Sequence, residues 1–267
     1  MYAFTLERPT TALDAAKLAA AGATPLSGGQ TLLASMKMRL SSPDQLVDLS
    51  GIEDLAGIRR ETSAQGGAFV IGAMTRHADV AEHAELKAAL PALSYLAAHI
   101  GDRQVRAMGT LGGSVANNDP AACYPCAALA LGATIHTTAR QIAADDFFLG
   151  MFATALNEGE LITAISFPIP KRAAYMKFKQ PASRFALVGV FVAQFDAGVR
   201  VAVTGAANGV FRHPGLEQAL SKSFTPEAAA AVKIDASELN SDIHGTAAYR
   251  ANLISVQTQR GVTKALG

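Results

Sequence analysis

The sequence has almost no charge of either sign to spare. Its 23 basic and 22 acidic side chains leave a formal net charge of +1 over 267 residues, so no global field draws the chain to nucleic acid or to an anionic membrane. Nucleic-acid binding is therefore not expected. No uninterrupted apolar run reaches membrane-spanning length, and the opening Met1-Tyr2-Ala3-Phe4-Thr5-Leu6-Glu7-Arg8 lacks the basic and apolar regions of a signal peptide. No integral membrane segment and a cytoplasmic location are the resulting expectations. The six histidines show no metal spacing such as H-x-x-x-H, and none is assigned to catalysis.

Cysteine is nearly absent as well. Cys123 and Cys126 are the two in the chain, spaced C-x-x-C, and no second pair exists to complete a four-thiolate zinc or iron–sulfur site. A redox dithiol or half of a metal site is one reading of the pair. The favoured one is two small apolar side chains packed near the start of a helix running from Pro125 to Leu131.

What the sequence does have is hydrophobic material and paired glycines. Half of its residues are hydrophobic, ample for cores, and at this length two or three compact units are expected. The stretch Gly109-Thr110-Leu111-Gly112-Gly113-Ser114-Val115-Ala116-Asn117-Asn118-Asp119-Pro120 joins a glycine pair to hydroxyl and amide side chains. As a loop it would let bare backbone N–H groups approach an anion, with phosphate the expected guest, because glycine has no Cβ. The same chemistry recurs at Leu26-Ser27-Gly28-Gly29-Gln30-Thr31-Leu32-Leu33. Neither copy has Rossmann or P-loop spacing, so ordinary tight turns stand as the alternative.

From Pro9 the spacing predicts a short helix capped by Thr10 or Thr11 and stopped by Gly22, then a strand over 23–26 and a helix over 31–38. A strand over 45–49 completes a first small α/β subdomain that ends near Arg59-Arg60. Ala64-Gln65-Gly66-Gly67 reads as a hairpin turn before a strand over 68–71. Helices capped by Thr75 or Asp79 and over 91–100 feed the central loop, which is followed by a helix over 127–131 and strands over 134–138 and 161–167. Pro168 and Pro170 mark a boundary, because proline cannot extend a ladder and restricts its predecessor. Strands over 173–178, 186–195 and 199–205 then form a separate sheet, with Asp196-Ala197-Gly198 as a turn. Helices over 213–220, 225–232 and 247–262 close the chain.

Around the glycine pairs the chain resembles the FAD-binding medium subunit of the molybdenum hydroxylases, the group containing xanthine dehydrogenase and aerobic carbon monoxide dehydrogenase. Ser27-Gly28-Gly29-Gln30-Thr31-Leu32-Leu33 followed by Met36-Lys37 is similar to the first flavin loop of that family. Ile100-Gly101-Asp102-Arg103-Gln104-Val105-Arg106 leading into Thr110-Leu111-Gly112-Gly113 is similar to the second, and Lys177-Phe178-Lys179-Gln180-Pro181-Ala182-Ser183-Arg184 is a third match. The resemblance implies an α+β fold. A PCMH-type FAD-binding domain over 1–170, in subdomains of about 1–60 and 61–170, would precede a small αβ C-terminal domain over 171–267.

The resemblance also implies noncovalent FAD. Ser27, Gly28, Gly29, Gln30 and Thr31 would meet its diphosphate from one side, and Thr110, Gly112, Gly113 and Ser114 from the other. Leu32, Ile100 and Ile162 match apolar contacts to the flavin and adenine ends, and equally suit core packing. The family sets a lysine at the flavin end, where a cation stabilises the reduced ring. Lys179 matches the xanthine dehydrogenase pattern and Lys177 the carbon monoxide dehydrogenase one, and Lys179 is favoured. Family members commonly carry aspartate at the position of Cys123 to accept from ribose hydroxyls. Cysteine is a poor acceptor, so either Asp119 or Asn118 compensates or the cofactor is held less tightly. Gln30 supplies no nucleophile for a covalent flavin link.

By the same resemblance the chain is an electron-transfer subunit of an oxidoreductase. Substrate would be oxidised at a molybdopterin cofactor in a large subunit, a small 2Fe-2S subunit would relay the electrons, and the FAD of this chain would hand them to quinone, NAD or oxygen. A dimer of heterotrimers is the expected assembly. A flavin-free structural subunit and a stand-alone flavin oxidase are the competing readings, the first colourless even with FAD added and the second active without partners.

Overall fold

The computed structural model describes residues 1–63 and 66–267, so the turn expected around Ala64-Gln65 lies outside the described residues. The chain opens with strand β1 (Thr5–Glu7) and helix α1 (Ala12–Ala20). Thr11 caps that helix, its hydroxyl accepting from the Asp14 N–H at 3.2 Å, and Gly22 stops it at φ +100°. Strand β2 (Thr24–Leu26), helix α2 (Leu32–Lys37) and strand β3 (Gln45–Asp48) complete a parallel sheet in the order β1-β3-β2. Ala15 and Ala19 of α1 pack on Val47, Leu49, Ile52 and Leu55. β1 was not expected from the sequence. All three of its residues are exposed, so it carries no hydrophobic alternation to read.

Strands β4 (Ile58–Ser63) and β5 (Gly66–Gly72) begin an antiparallel sheet. Helices α3 (His77–Glu82), α4 (Ala84–Ala89), α5 (Pro91–Ala98), α6 (Arg103–Met108), α7 (Leu111–Asn117) and α8 (Cys123–Leu131) follow. Then come β6 (Thr134–Thr137), β7 (Gln141–Ala143), helix α9 (Ala144–Phe147), the small hairpin β8 (Phe148–Gly150) and β9 (Ala153–Thr154), and β10 (Ile162–Pro168). The sheet order is β4-β5-β10-β6-β7. Phe69, Ile71, Ile135, Ile165 and Phe167 pack its inner face against the helices.

The remainder forms a four-stranded antiparallel sheet of β11 (Arg172–Lys179), β12 (Ala186–Phe195), β13 (Gly198–Thr204) and β14 (Phe211–Arg212), with helices α10 (Pro214–Lys222), α11 (Pro226–Ala230) and α12 (Ala247–Leu266). Residues 186–193 of β12 are all buried, and the reason is a cover on each face. Val188, Val190, Val192, Val201 and Val203 meet Leu216, Leu220, Leu253, Ile254 and Val262 of α10 and α12. Tyr175, Phe191, Ala193 and Ala202 share a core with α8. A strand clad on both sides reads as a continuous apolar run instead of an alternating one, as the middle of β12 does, whereas the sheet is expected from the sequence on alternation. The mixed helix-and-sheet architecture is the α+β class expected.

The expected loop over 109–120 is corrected: its middle, Leu111–Asn117, is the helix α7. Thr110 caps it, its Oγ1 accepting from the Gly113 N–H at 3.2 Å, and Asn118 ends it in the left-handed region at φ +43°. A glycine pair should weaken a helix, but the first-turn donors here find partners outside it. The Leu111 N–H donates to Thr75 O at 3.0 Å and the Gly112 N–H to Ala73 O at 2.8 Å. Those carbonyls belong to the chain leaving β5, so the tertiary ladder outweighs local propensity.

Candidate functional site

A cleft of about 550 Å³ opens where the first glycine pair approaches α6 and α7. Its first wall is built by the turn from β2 into α2. Gly29 takes φ +68°, and a Cβ on Gly28 would collide with Met108 O and lie 2.6 Å from the Gly109 Cα. Gly28 therefore lets two backbones touch. Gln30 Nε2 donates to Gly28 O at 3.1 Å and braces the turn. The N–H groups of Gly28, Gly29, Gln30 and Thr31 donate to no acceptor among the described residues. Successive free amides in such a turn form an anion-binding concavity.

The second glycine pair works differently from the first. The Leu111, Gly112 and Gly113 amides are already paired, as described above, and what the glycines provide is close approach. A Cβ on Gly112 would lie 2.5 Å from the Ala73 Cβ and 2.9 Å from its carbonyl oxygen, and one on Gly113 would collide with the Ser27 hydroxyl. α7 thus locks the first turn in place. The Ser114 side chain faces the cleft, and so does Asn117, which sequence reasoning left out.

Ser27, Gly28, Gly29, Gln30, Thr31, Leu32, Ile100, Thr110, Gly112, Gly113, Ser114, Asp119, Cys123, Ile162 and Lys177 all line this one cleft. Two expected residues do not. Asn118 is buried, and its side-chain amide donates to Gly150 O and Ala153 O, both at 2.8 Å, which holds the β8–β9 hairpin. It is the left-handed cap of α7. Lys179, the lysine favoured from sequence, ends β11 in solvent. Lys177 reaches the cleft instead, where its Nζ donates to His99 O at 3.0 Å and lies 3.4 Å from the Cys123 Sγ. Beyond it the ladder slips: Phe178 pairs with Val188 but Lys179 with Ala186, so Leu187 is bulged out.

Both cysteines are free and buried in the first turn of α8. Cys126 donates its thiol to Ala202 O at 3.2 Å, and burial pushes that thiol well above its usual pKa. Cys123 lies at the cleft beside Lys177. Asp119 spends one oxygen on the Ala121 N–H at 2.8 Å.

Ser183 and Arg184, the end of the third family match, reach in from the β11–β12 connection with Phe185, and Arg184 takes φ +61°. Phe185, Glu160 and His77 were not singled out from the sequence. Glu160 is buried, and although burial alone would raise its pKa, hydrogen bonds from Arg140, the Asn157 N–H and Thr137, with the charge of Arg140, hold it at about 2. His77, whose burial and the neighbouring Arg106 charge lower its pKa to about 4, packs on Tyr124 with ring centroids 5.3 Å apart and planes tilted by 49°. A single histidine with no spaced partner gives no sequence signal.

Both shifted groups act in the same direction on stability. A carboxylate depressed to about 2 contributes stability above its usual value near 4.5 that is lost as pH falls towards 2. A histidine depressed from 6.5 to about 4 is neutral in the fold and protonated in the unfolded chain between those values, so stability falls as pH drops through that window. The His77 part is on the order of 3 kcal/mol. Thermal unfolding followed from pH 7 to pH 4 should show a falling midpoint, and His77→Phe should flatten that slope. A wild-type midpoint constant across the window would exclude a buried neutral His77.

Residues 2–170 match a family described as the FAD binding domain in molybdopterin dehydrogenase. The chain is 35% identical to the carbon monoxide dehydrogenase medium chain of Afipia carboxidovorans, with 98% of this chain and 96% of that one aligned. It is 34% identical to the glyceraldehyde dehydrogenase medium chain of Sulfolobus acidocaldarius, over 88% of each. Its fold superimposes on a chain of the reconstituted CO dehydrogenase from Oligotropha carboxidovorans with a TM-score of 0.89 and 33% identity, covering 98% of this chain and 97% of that one.

Proposed function

Because this chain belongs to the FAD-binding medium subunits of the molybdenum hydroxylases, we propose that it passes electrons from the 2Fe-2S clusters of a partner subunit, through noncovalent FAD, to an external acceptor. The observation that carries this reading is the row of unpaired amides from Gly28 to Thr31, facing a cleft of about 550 Å³. A dinucleotide diphosphate is an anion that oriented amides satisfy without a buried cation. The cleft size is also that of small-molecule and cofactor sites. The residues present therefore fit FAD.

In this reading Ser27 to Thr31 hold the diphosphate, and the Thr110 and Ser114 hydroxyls bound it from the α7 side. Gly112 and Gly113 contribute by keeping α7 pressed on Ala73 and Ser27. Leu32, Ile100 and Ile162 give the rings apolar walls. When bound, FAD supplies a carrier able to link one-electron iron–sulfur centres to a two-electron acceptor. Lys177, steered by His99 O and Cys123, supplies positive charge at the cleft. The chain has too few cysteines for a Cys₄ cluster, which supports 2Fe-2S in a partner subunit, and relatives named as medium chains support a small and a large partner; molybdopterin in the large one and assembly as a dimer of heterotrimers complete the reading. The domain division near residue 170 remains part of this proposal.

Tagged chain produced with its genomic neighbours is expected to carry FAD that acid releases, and to bring down two subunits containing molybdenum and iron. A chain that came out alone and took electrons directly from an organic substrate would be an oxidase instead. Lys177→Met should leave FAD bound and lower its midpoint potential. A partly exposed cation is worth on the order of a kcal/mol, or about 20 mV for two electrons. Lys179→Met should leave the potential unchanged, and the reverse result would return the role to Lys179.

A further inference from the structure

We propose that His77 is a cofactor-binding residue, its imidazole meeting an oxygen of the bound dinucleotide beside the amide turn; this rests on the reading of the cleft as the FAD site. The inference starts from two glycines. Gly28 packs on Gly109, since a Cβ on Gly28 would lie 2.6 Å from the Gly109 Cα, and Gly109 packs on His77, since a Cβ on Gly109 would lie 2.6 Å from Nε2. Amide turn, Gly109 and imidazole thus form a stack in which neither glycine interposes a side chain. The backbone fixes the register of this stack. The His77 N–H donates to Gly109 O at 2.9 Å, and Arg76 bridges to Thr110.

The ring is nearly enclosed, at 4% exposure, yet it lines the cleft. Its Nδ1 is fully buried without a hydrogen-bond partner. A buried ring nitrogen normally finds a partner. Leaving it unpaired costs stability, and a ring that costs the flavin-free fold something while lining a binding cleft is a candidate ligand contact. Tyr124 packs on the ring at a tilt of 49°. Arg106, which donates to Ile100 O and Gly101 O at 2.9 and 3.1 Å, adds positive charge nearby. A ring kept neutral there retains one N–H donor for an anionic or hydroxyl oxygen and brings no second buried cation.

The alternative is a histidine that only fills space, and the two differ in what replacement does to the flavin-free chain. His77→Phe keeps a ring of similar size and removes both nitrogens. FAD titrated into the full-length flavin-free protein, followed by flavin fluorescence, should show a Kd raised roughly tenfold, the scale of one hydrogen bond to a charged group. The unfolding midpoint of the flavin-free variant should equal or exceed that of wild type. His77→Gln, which keeps an N–H, should bring Kd back to within about threefold of wild type. Wild-type FAD affinity in His77→Phe overturns the inference. So does weaker affinity that comes with a lower flavin-free midpoint and is not rescued by glutamine, because that pattern belongs to packing. Wild-type chain that binds no FAD at all would overturn the flavin reading itself, a result separable from either.

Discussion

A Gly28→Ala chain is expected to purify without flavin. The added methyl has no room, because Met108 O and the Gly109 Cα already occupy its position. Neither can yield as a side chain would, since Gly109 is held by its N–H to Val105 O at 2.7 Å and by its carbonyl, which accepts from the His77 N–H. The turn must therefore lift off α6 and α7, which moves the four free amides away from their common focus. Overpacking of this kind costs about 1–3 kcal/mol. Lost from binding, that corresponds to about ten- to a hundredfold in FAD affinity. Flavin content per chain and thermal midpoint measured together decide the matter: a variant with full FAD occupancy would mean that the turn is not the diphosphate site. Gly112→Val, by contrast, should harm the fold as well as the flavin, since its methyls meet the Ala73 backbone before any ligand. From the sequence alone the same substitution would be expected to remove flavin from an intact fold.

The largest loss of stability should come from Arg250→Met. The arginine side chain is 3% exposed, and its guanidinium donates to Leu187 O at 3.0 Å, to Gly205 O at 2.7 Å and to Asp242 at 2.7 Å. One cation at the start of α12 thus closes the β12 bulge and the turn after β13. Methionine fills much of the volume but takes the donor from two buried carbonyls and the ion-pair partner from Asp242. Removing one member of a buried charged network typically costs about 3–5 kcal/mol. Asp242→Asn should cost on the order of 1 kcal/mol, since that partner is half in water. Urea unfolding of the three proteins provides the comparison. A Met variant within 1 kcal/mol of wild type, on the scale of one ordinary hydrogen bond, would mean that water reaches these carbonyls.

How legible the molecule was in its sequence depended on how local each feature's cause was. The first glycine turn could be read because strand, turn and helix are consecutive and the glycines carry the anion-binding geometry themselves. The sheet of β11, β12 and β13 could be read because its strands alternate enough to show the period of two and a turn at Asp196-Ala197-Gly198 separates two of them. α7 could not be read, because the carbonyls that stabilise its glycine-rich first turn come from Ala73 and Thr75. The two lysines sit two residues apart on one strand, so periodicity alone treats them alike. The bulge at Leu187 and the anchoring of Lys177 on His99 O, both supplied by distant segments, separate them. His77 has its significance only through Gly109 and Gly28, neither of which is near it in sequence.

α8 deserves to be followed through synthesis. All nine of its residues are buried, so it has no face suited to water, and part of its cover is Phe191, Ala193 and Ala202. Those residues leave the ribosome about seventy residues after the helix, which at roughly 5–20 residues per second leaves a nascent chain with an uncovered apolar helix for about 4–14 s. Over that interval Cys126 lacks the Ala202 carbonyl that accepts from its thiol in the finished fold, and a chaperone or transient clustering of α8 with β5 and α5 must stand in for the missing cover. Newly made chains are thus exposed to aggregation at a point fixed by the order in which the segments are translated, whatever the stability of the finished fold.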